Sequence, residues 1–144
     1  MAKVSFGVSA RSHHPTRLEV SAREHRLVVD EPEKLGGTDA GPNPLEYMLA
    51  ALAGCINVTG HLVAKELGFE IRELSMDIMG ELNPARFMGR PTEDRSGFTL
   101  VKVEVRLEAD IGEETRQNWI ESVESRCPIS DTMGAGTSIE VFLV

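Results

Sequence analysis

The sequence predicts an α+β domain with antiparallel sheets packed about one long buried helix. An apolar segment opening at Asn43-Pro44 and running to Gly68 repeats its large side chains every three or four residues. Segments with two-residue alternation precede and follow it, the clearest being Val101, Val103, Val105 and Leu107 between Lys102, Glu104, Arg106 and Glu108. A second, shorter helical stripe, Trp119, Val123 and Cys127, comes late in the chain.

In chain order, Leu18, Val20 and Ala22 alternate with Arg17, Glu19 and Ser21, and Leu27-Val28-Val29 follows a polar turn, which is a hairpin pattern. Residues 30–44, DEPEKLGGTDAGPNP, concentrate Gly, Pro, Asp and Asn into a loop. Asn43 then supplies an N-cap with Pro44 at the first helical position, and Gly68 supplies a stop. Met48, Leu52, Cys55, Thr59 and Leu62 form one face, with Leu49, Ala53 and Ile56 beside it. A helix apolar on most sides must be wrapped on most sides, and one short chain has few strands to do it, so a partner chain is expected to help. Leu74, Met76 and Ile78 alternate as a strand; residues 83–97 form a long loop, and residues 113–126 read as helix. Pro128 disfavours helical geometry at Cys127 and sets that thiol at a helix boundary. Gly134-Ala-Gly136 reads as a turn and residues 138–144, SIEVFLV, as a final strand.

Composition excludes several classes of function. With 144 residues, a hydrophobic fraction of 41% and a charged fraction of 26%, the chain is neither disordered nor collagen-like. Its net charge of −8 argues against a nucleic-acid partner, which needs clustered Lys and Arg. The uncharged stretch from Tyr47 to Gly60 is short of the roughly 20 apolar residues that span a bilayer, so a core helix is expected rather than a membrane anchor. The first residues carry no signal-peptide pattern, so a reducing cytoplasm is the expected compartment and the two cysteines start as thiols.

Motifs for phosphate, dinucleotide, HExxH zinc, CxxC and GxSxG chemistry are missing. His13-His14 reads as a solvated pair, and the Asn57-Val-Thr59 sequon lies inside the expected core helix. Cys55 and Cys127 remain, and two readings of them stay open. Both lie on apolar stripes, where free cysteine packs as a small hydrophobe. Alternatively they form a redox pair, one thiolate attacking a peroxide O–O bond and the second thiol condensing with the sulfenic acid. Such an attacking thiolate needs a neighbouring cation or a helix N-terminus. Cys55 lies too far past Asn43 for the helix dipole, so the cation must come from elsewhere.

The segment GPNPLEYMLAALAGC at 41–55, followed 72 residues after Cys55 by Cys-Pro-Ile-Ser at 127–130, resembles the OsmC/Ohr family of osmotically inducible and organic-hydroperoxide-resistance proteins. The resemblance runs from about Thr16 to Val144. The length and the lack of a dividing linker give a single domain over residues 1–144, and the resemblance implies an intertwined homodimer whose long central helix packs against sheets from both chains. It also implies a thiol peroxidase of small organic hydroperoxides, Cys55 attacking and Cys127 resolving, recycled by a lipoylated protein or another dithiol. No cofactor or metal is expected. The family's glutamate after Asn-Pro falls at Leu45, with Glu46 one residue later, and its N-terminal arginine corresponds to Lys34 in Glu-Lys-Leu-Gly-Gly, with Arg17, Arg23 and Arg26 as further candidates. On a regular helix Glu46 and Cys55 are separated by about 13.5 Å of rise and face opposite sides, so Glu46 acts on a thiol only across a dimer or from an irregular helix start; otherwise it stabilises the helix end. Alternatives on the same fold are a non-catalytic binder of a small apolar ligand, favoured by Leu45, and an oxidant sensor. If the cysteines are a working pair, their sulfurs should share one pocket with at least one Arg or Lys facing them, and one of them, Cys55, should be largely buried yet reachable through an apolar channel.

Overall fold

The computed structural model describes residues 1–143 as two compact units, Met1–Met48 and the described residues from Leu49 onward. In the first, β1 (Ser9–Ser12), β2 (Leu18–Ala22) and β3 (His25–Val29) form a three-stranded antiparallel sheet in the order β1-β2-β3. The β2–β3 register pairs Leu18 with Val29 and Val20 with Leu27, as the alternation of the sequence dictates. β1 is polar in sequence and exposed at every position, so no hydrophobic period announced it.

The loop after β3 is organised by one carboxylate. Asp30 is fully buried; its Oδ1 accepts from Thr16 Oγ1 at 2.7 Å and the Glu31 amide at 2.8 Å. Its Oδ2 accepts from the Thr38 hydroxyl and from the amides of Thr38 and Ala40. The Thr38 hydroxyl is the largest influence and holds the carboxyl far below its ordinary range; burial opposes it, and Thr16, Ala40 and Glu31 assist. The loop also needs Gly41, where any Cβ would fall 2.2 Å from the Val28 carbonyl oxygen. Asp30→Asn places an amide N–H₂ among five donors, and Tm is expected to fall by roughly 5–10 °C in a thermal scan at pH 7. Because the folded-state carboxyl is depressed, its stabilisation is present above the ordinary carboxylate range and is lost as pH falls; at strongly acidic pH the wild type and the variant should converge. An unchanged Tm at pH 7 would show that the loop does not depend on this carboxylate.

α1 (Pro44–Leu67) begins with Pro44 behind a reciprocal cap: Asn43 Oδ1 accepts from the Glu46 amide and Glu46 Oε2 accepts from the Asn43 amide, both at 2.8 Å. In the second unit the helix stops at Gly68, whose φ of 79° only glycine adopts readily, and the Phe69 amide closes on the Ala64 carbonyl. β4 (Glu73–Glu81) and β5 (Leu100–Glu108) form an antiparallel pair with Leu74 opposite Leu107 and Ile78 opposite Val103. α2 (Glu113–Arg126) and α3 (Pro128–Ala135) follow. Leu52, Ile56, Val63 and Ala64 of α1 pack with Trp119, Val123 and Cys127, flanked by the inner face of β4 and β5. Trp119 Nε1 donates to the Gly60 carbonyl at 2.8 Å.

Within one chain α1 buries one stripe, Leu52, Ile56, Thr59, Gly60, Val63 and Ala64, while Met48, Val58 and Leu62, on the side a partner chain is expected to cover, stand exposed, Val58 at 69%. By length and composition α1 could cross a bilayer, a test that core helices also pass. The α+β class with antiparallel sheets is correct, and two details differ. Residues 138–143 form no strand, and Phe142 is 76% exposed, because no strand edge among the described residues pairs with them; Val144 lies outside the described residues. Gly134 belongs to α3 and only Gly136, with φ of 79°, turns the chain.

Candidate redox site

Cys55 sits at the border of the buried stripe of α1, between Leu52 and Ile56, and is half-buried. Cys127 ends the Trp119, Val123, Cys127 stripe of α2 and is 1% exposed. Pro128 fixes the backbone there: Cys127 has extended φ and ψ of −74° and 112°, its amide closes α2 on the Val123 carbonyl, and the same residue starts α3. The two sulfurs lie 2.8 Å apart as free thiols, Cys127 donating to Cys55. Cys127 Sγ also accepts from the Ser130 amide at 3.5 Å, which makes the thiol the N-cap of α3.

The surroundings act on the Cys127 thiol. Burial pushes Cys127 up, the bond to Cys55 adds to this, and the Ser130 and Ile129 amides oppose it. The largely buried thiol is Cys127 and not, as expected, Cys55, because the α2 stripe aims Cys127 at α1 whereas Cys55 lies at the margin of its own stripe. Iodoacetamide at pH 8 is expected to label Cys55 at least roughly 10-fold faster than Cys127 in native protein, read by peptide mass spectrometry. Equal labelling would mean that the helix junction opens freely.

The arginine beside this junction is already committed. Arg126 Nη1 and Nη2 meet Glu66 Oε2 and Oε1 at 2.5 and 3.0 Å, a bidentate pair joining α2 to α1. Arg126 holds the Glu66 carboxyl below its ordinary value, and Glu66 raises Arg126 in return. In the first unit, Arg17 is half-buried before β2 and Lys34 is exposed in the 3₁₀ turn Glu33–Leu35. Arg23 occupies the β2–β3 turn, where its φ is 54°, and Arg26 pairs with Glu19 at 2.7 Å. Glu46 is exposed, its carboxylate closing the helix start. Sequence reasoning missed Ser130, Glu66 and Arg126. Proline at a first helical position does signal a cap at the residue before it, and that signal would have found the Ser130 amide.

No group of three or more His, Cys, Asp or Glu among the described residues could hold a metal ion. An open cleft of about 300 Å³ lies between β5 and α2, lined by residues including Val105, Leu107, Arg116 and Ile120; neither cysteine lines it.

No curated protein matches this chain. Among solved structures, an OsmC-like protein from Mycoplasma pneumoniae superposes with a TM-score of 0.80 at 21% identity, over 92% of this chain and 89% of that one. An organic hydroperoxide resistance protein from Elizabethkingia anophelis gives 0.67 at 22% identity, over 92% and 91% of the two chains. The organic hydroperoxide resistance protein OhrB of Bacillus subtilis gives 0.60 at 21%, over 91% and 92%. At such identities these likenesses establish a shared fold. The family model described as OsmC-like protein matches residues 37–142, so the greater part of the sequence, including the helix that carries Cys55 and the Cys127 junction, agrees with it, and the chain belongs to the OsmC-like family.

Proposed function

We propose that this chain is a thiol-dependent peroxidase of small organic hydroperoxides, one domain over residues 1–144 acting as an intertwined homodimer in the cytoplasm. The observation that carries the reading is the sulfur pair: two free thiols 2.8 Å apart, drawn from helices distant in sequence. Cys55 as thiolate attacks the O–O bond, forming its sulfenic acid and releasing the alcohol. The Cys127 thiol then condenses with it, releasing water and forming the Cys55–Cys127 disulfide, which a dithiol or lipoylated protein reduces. The names of two relatives, organic hydroperoxide resistance proteins, support the substrate class. Lys34 or Arg17 is proposed as the cation that favours the thiolate, and Glu46 of the partner subunit as its carboxylate. The exposed apolar side of α1 and the unpaired residues 138–143 support the dimer. No nucleic-acid or membrane partner and no cofactor is proposed.

The experiment gives reduced protein one equivalent of cumene hydroperoxide and titrates its thiols. Loss of both thiols with a Cys55–Cys127 peptide, and continued consumption once dihydrolipoamide is added, is the expected result. An unchanged thiol titre would replace this reading by the apolar-ligand binder that Leu45 favours; disulfide formation without efficient turnover would replace it by the sensor. Sedimentation at low micromolar concentration tests the dimer, and a folded monomer would remove it.

A further inference from the structure

Building on that reading, we infer that the external dithiol enters at Cys55: its thiolate attacks the Cys55 sulfur of the Cys55–Cys127 disulfide and expels Cys127. Thiol–disulfide exchange proceeds in line, so the attacking sulfur approaches along the S–S axis, and access and leaving-group stabilisation decide which sulfur is hit. Attack on Cys127 requires entry to a residue 1% exposed, packed in the core with Trp119 and Val123. Cys55 is half-buried, the more accessible residue of the two within one chain.

The leaving side points the same way. An expelled sulfur carries negative charge as the bond breaks, and Cys127 Sγ already has the Ser130 N–H aimed at it from the first turn of α3. Cys55 lies inside α1, twelve residues before its end, where backbone amides are used within the helix. An amide N–H therefore faces Cys127 and none faces Cys55, although burial opposes charge on Cys127.

The steps balance. The first thiolate forms a mixed disulfide with Cys55, and the electron pair of the broken S–S bond leaves on Cys127, which takes a proton from solvent. Burial keeps that proton on Cys127 and slows its return to the mixed disulfide. The second thiol of the same reductant, as thiolate, attacks the reductant's own bridging sulfur; a cyclic disulfide departs and Cys55 is released as thiolate. The protein is reduced by two electrons and the dithiol oxidised by two. A monothiol lacks the second group, so its adduct stays on Cys55 until a second thiol molecule attacks it.

The test uses wild-type protein oxidised with diamide rather than hydroperoxide, so its outcome does not depend on peroxidase activity. N-acetylcysteine is added, the reaction is quenched in acid, and adducts are mapped by mass spectrometry. At least a tenfold excess of adduct on Cys55 is expected, and dihydrolipoamide should leave none on either cysteine. Adduct on Cys127, equal adduct on both, or failure of diamide to form the disulfide would each overturn the inference. Failure of hydroperoxide alone to oxidise a pair that diamide bridges would sink the peroxidase reading and leave the direction of exchange standing.

Discussion

Cys55→Ser is expected to lower steady-state consumption of cumene hydroperoxide with dihydrolipoamide by on the order of 10³ or more. A serine hydroxyl is not ionised near neutral pH and cannot stand in for a thiolate nucleophile. Cys127→Ser should behave differently: the first equivalent of hydroperoxide is still consumed, leaving a sulfenic acid on Cys55 that dimedone traps, while later turnovers slow. Both substitutions nearly preserve volume, and Cys55 is only half-buried, so the folded state should survive and far-UV circular dichroism checks that it has. If Cys55→Ser keeps more than a tenth of the wild-type rate, Cys55 is not the nucleophile. If Cys127→Ser turns over normally, the 2.8 Å contact is packing rather than chemistry.

The second large effect is structural. Trp119→Ala should destabilise the protein by about 3–5 kcal/mol, measured by urea unfolding. Trp119 is buried to 2% exposure, packs against α1 and donates to the Gly60 carbonyl at 2.8 Å. The loss combines the ring's transfer free energy with the cavity left beneath α2. Gly60 is the complement: a Cβ there would lie 2.8 Å from Trp119 Cζ2, a ring that cannot swing aside. Gly60→Ala gains roughly 1 kcal/mol of helix propensity but forces the ring or the helix to move, and a net loss of about 1–2 kcal/mol is expected. Shrinking the ring in a Gly60→Ala, Trp119→Phe double variant should recover part of that loss, since contacting sites are not additive. A Trp119→Ala loss below about 1 kcal/mol would mean that the core closes over the gap.

Much of this was legible because periodicity and capping are local. Asn43-Pro44 marked the start of α1, and strict alternation marked β5. The Trp119, Val123, Cys127 spacing marked the buried side of α2, and Cys127-Pro128 marked a junction. What escaped is what depends on partners distant in sequence. Asp30 looks like any loop aspartate until Thr16 and Thr38 close on it. Glu66 and Arg126 are sixty residues apart, and nothing in either helix alone foretells their pairing. The order of burial of the two thiols is set by how α2 leans on α1, which no spacing along one helix determines. Residues 138–143 show the converse: alternation announces a strand, but a strand also requires an edge to pair with.

The β4–β5 pairing carries a consequence for how the chain avoids errors while folding. One face aligns Leu74 with Leu107, Met76 with Val105 and Ile78 with Val103; the other aligns Ser75 with Arg106 and Asp77 with Glu104, and Arg106 reaches Asp77 at 2.6 Å. A slip by one residue would turn Glu104 and Arg106 toward Trp119 and bare the valines to water. The connection between the strands, residues 82–99, is a long tether that by itself selects no register. Selection falls to the alternation, so misaligned hairpins are rejected as they try to dock. A single outward charge replaced by valine on β5 would blunt that proofreading before it touched the stability of the finished fold.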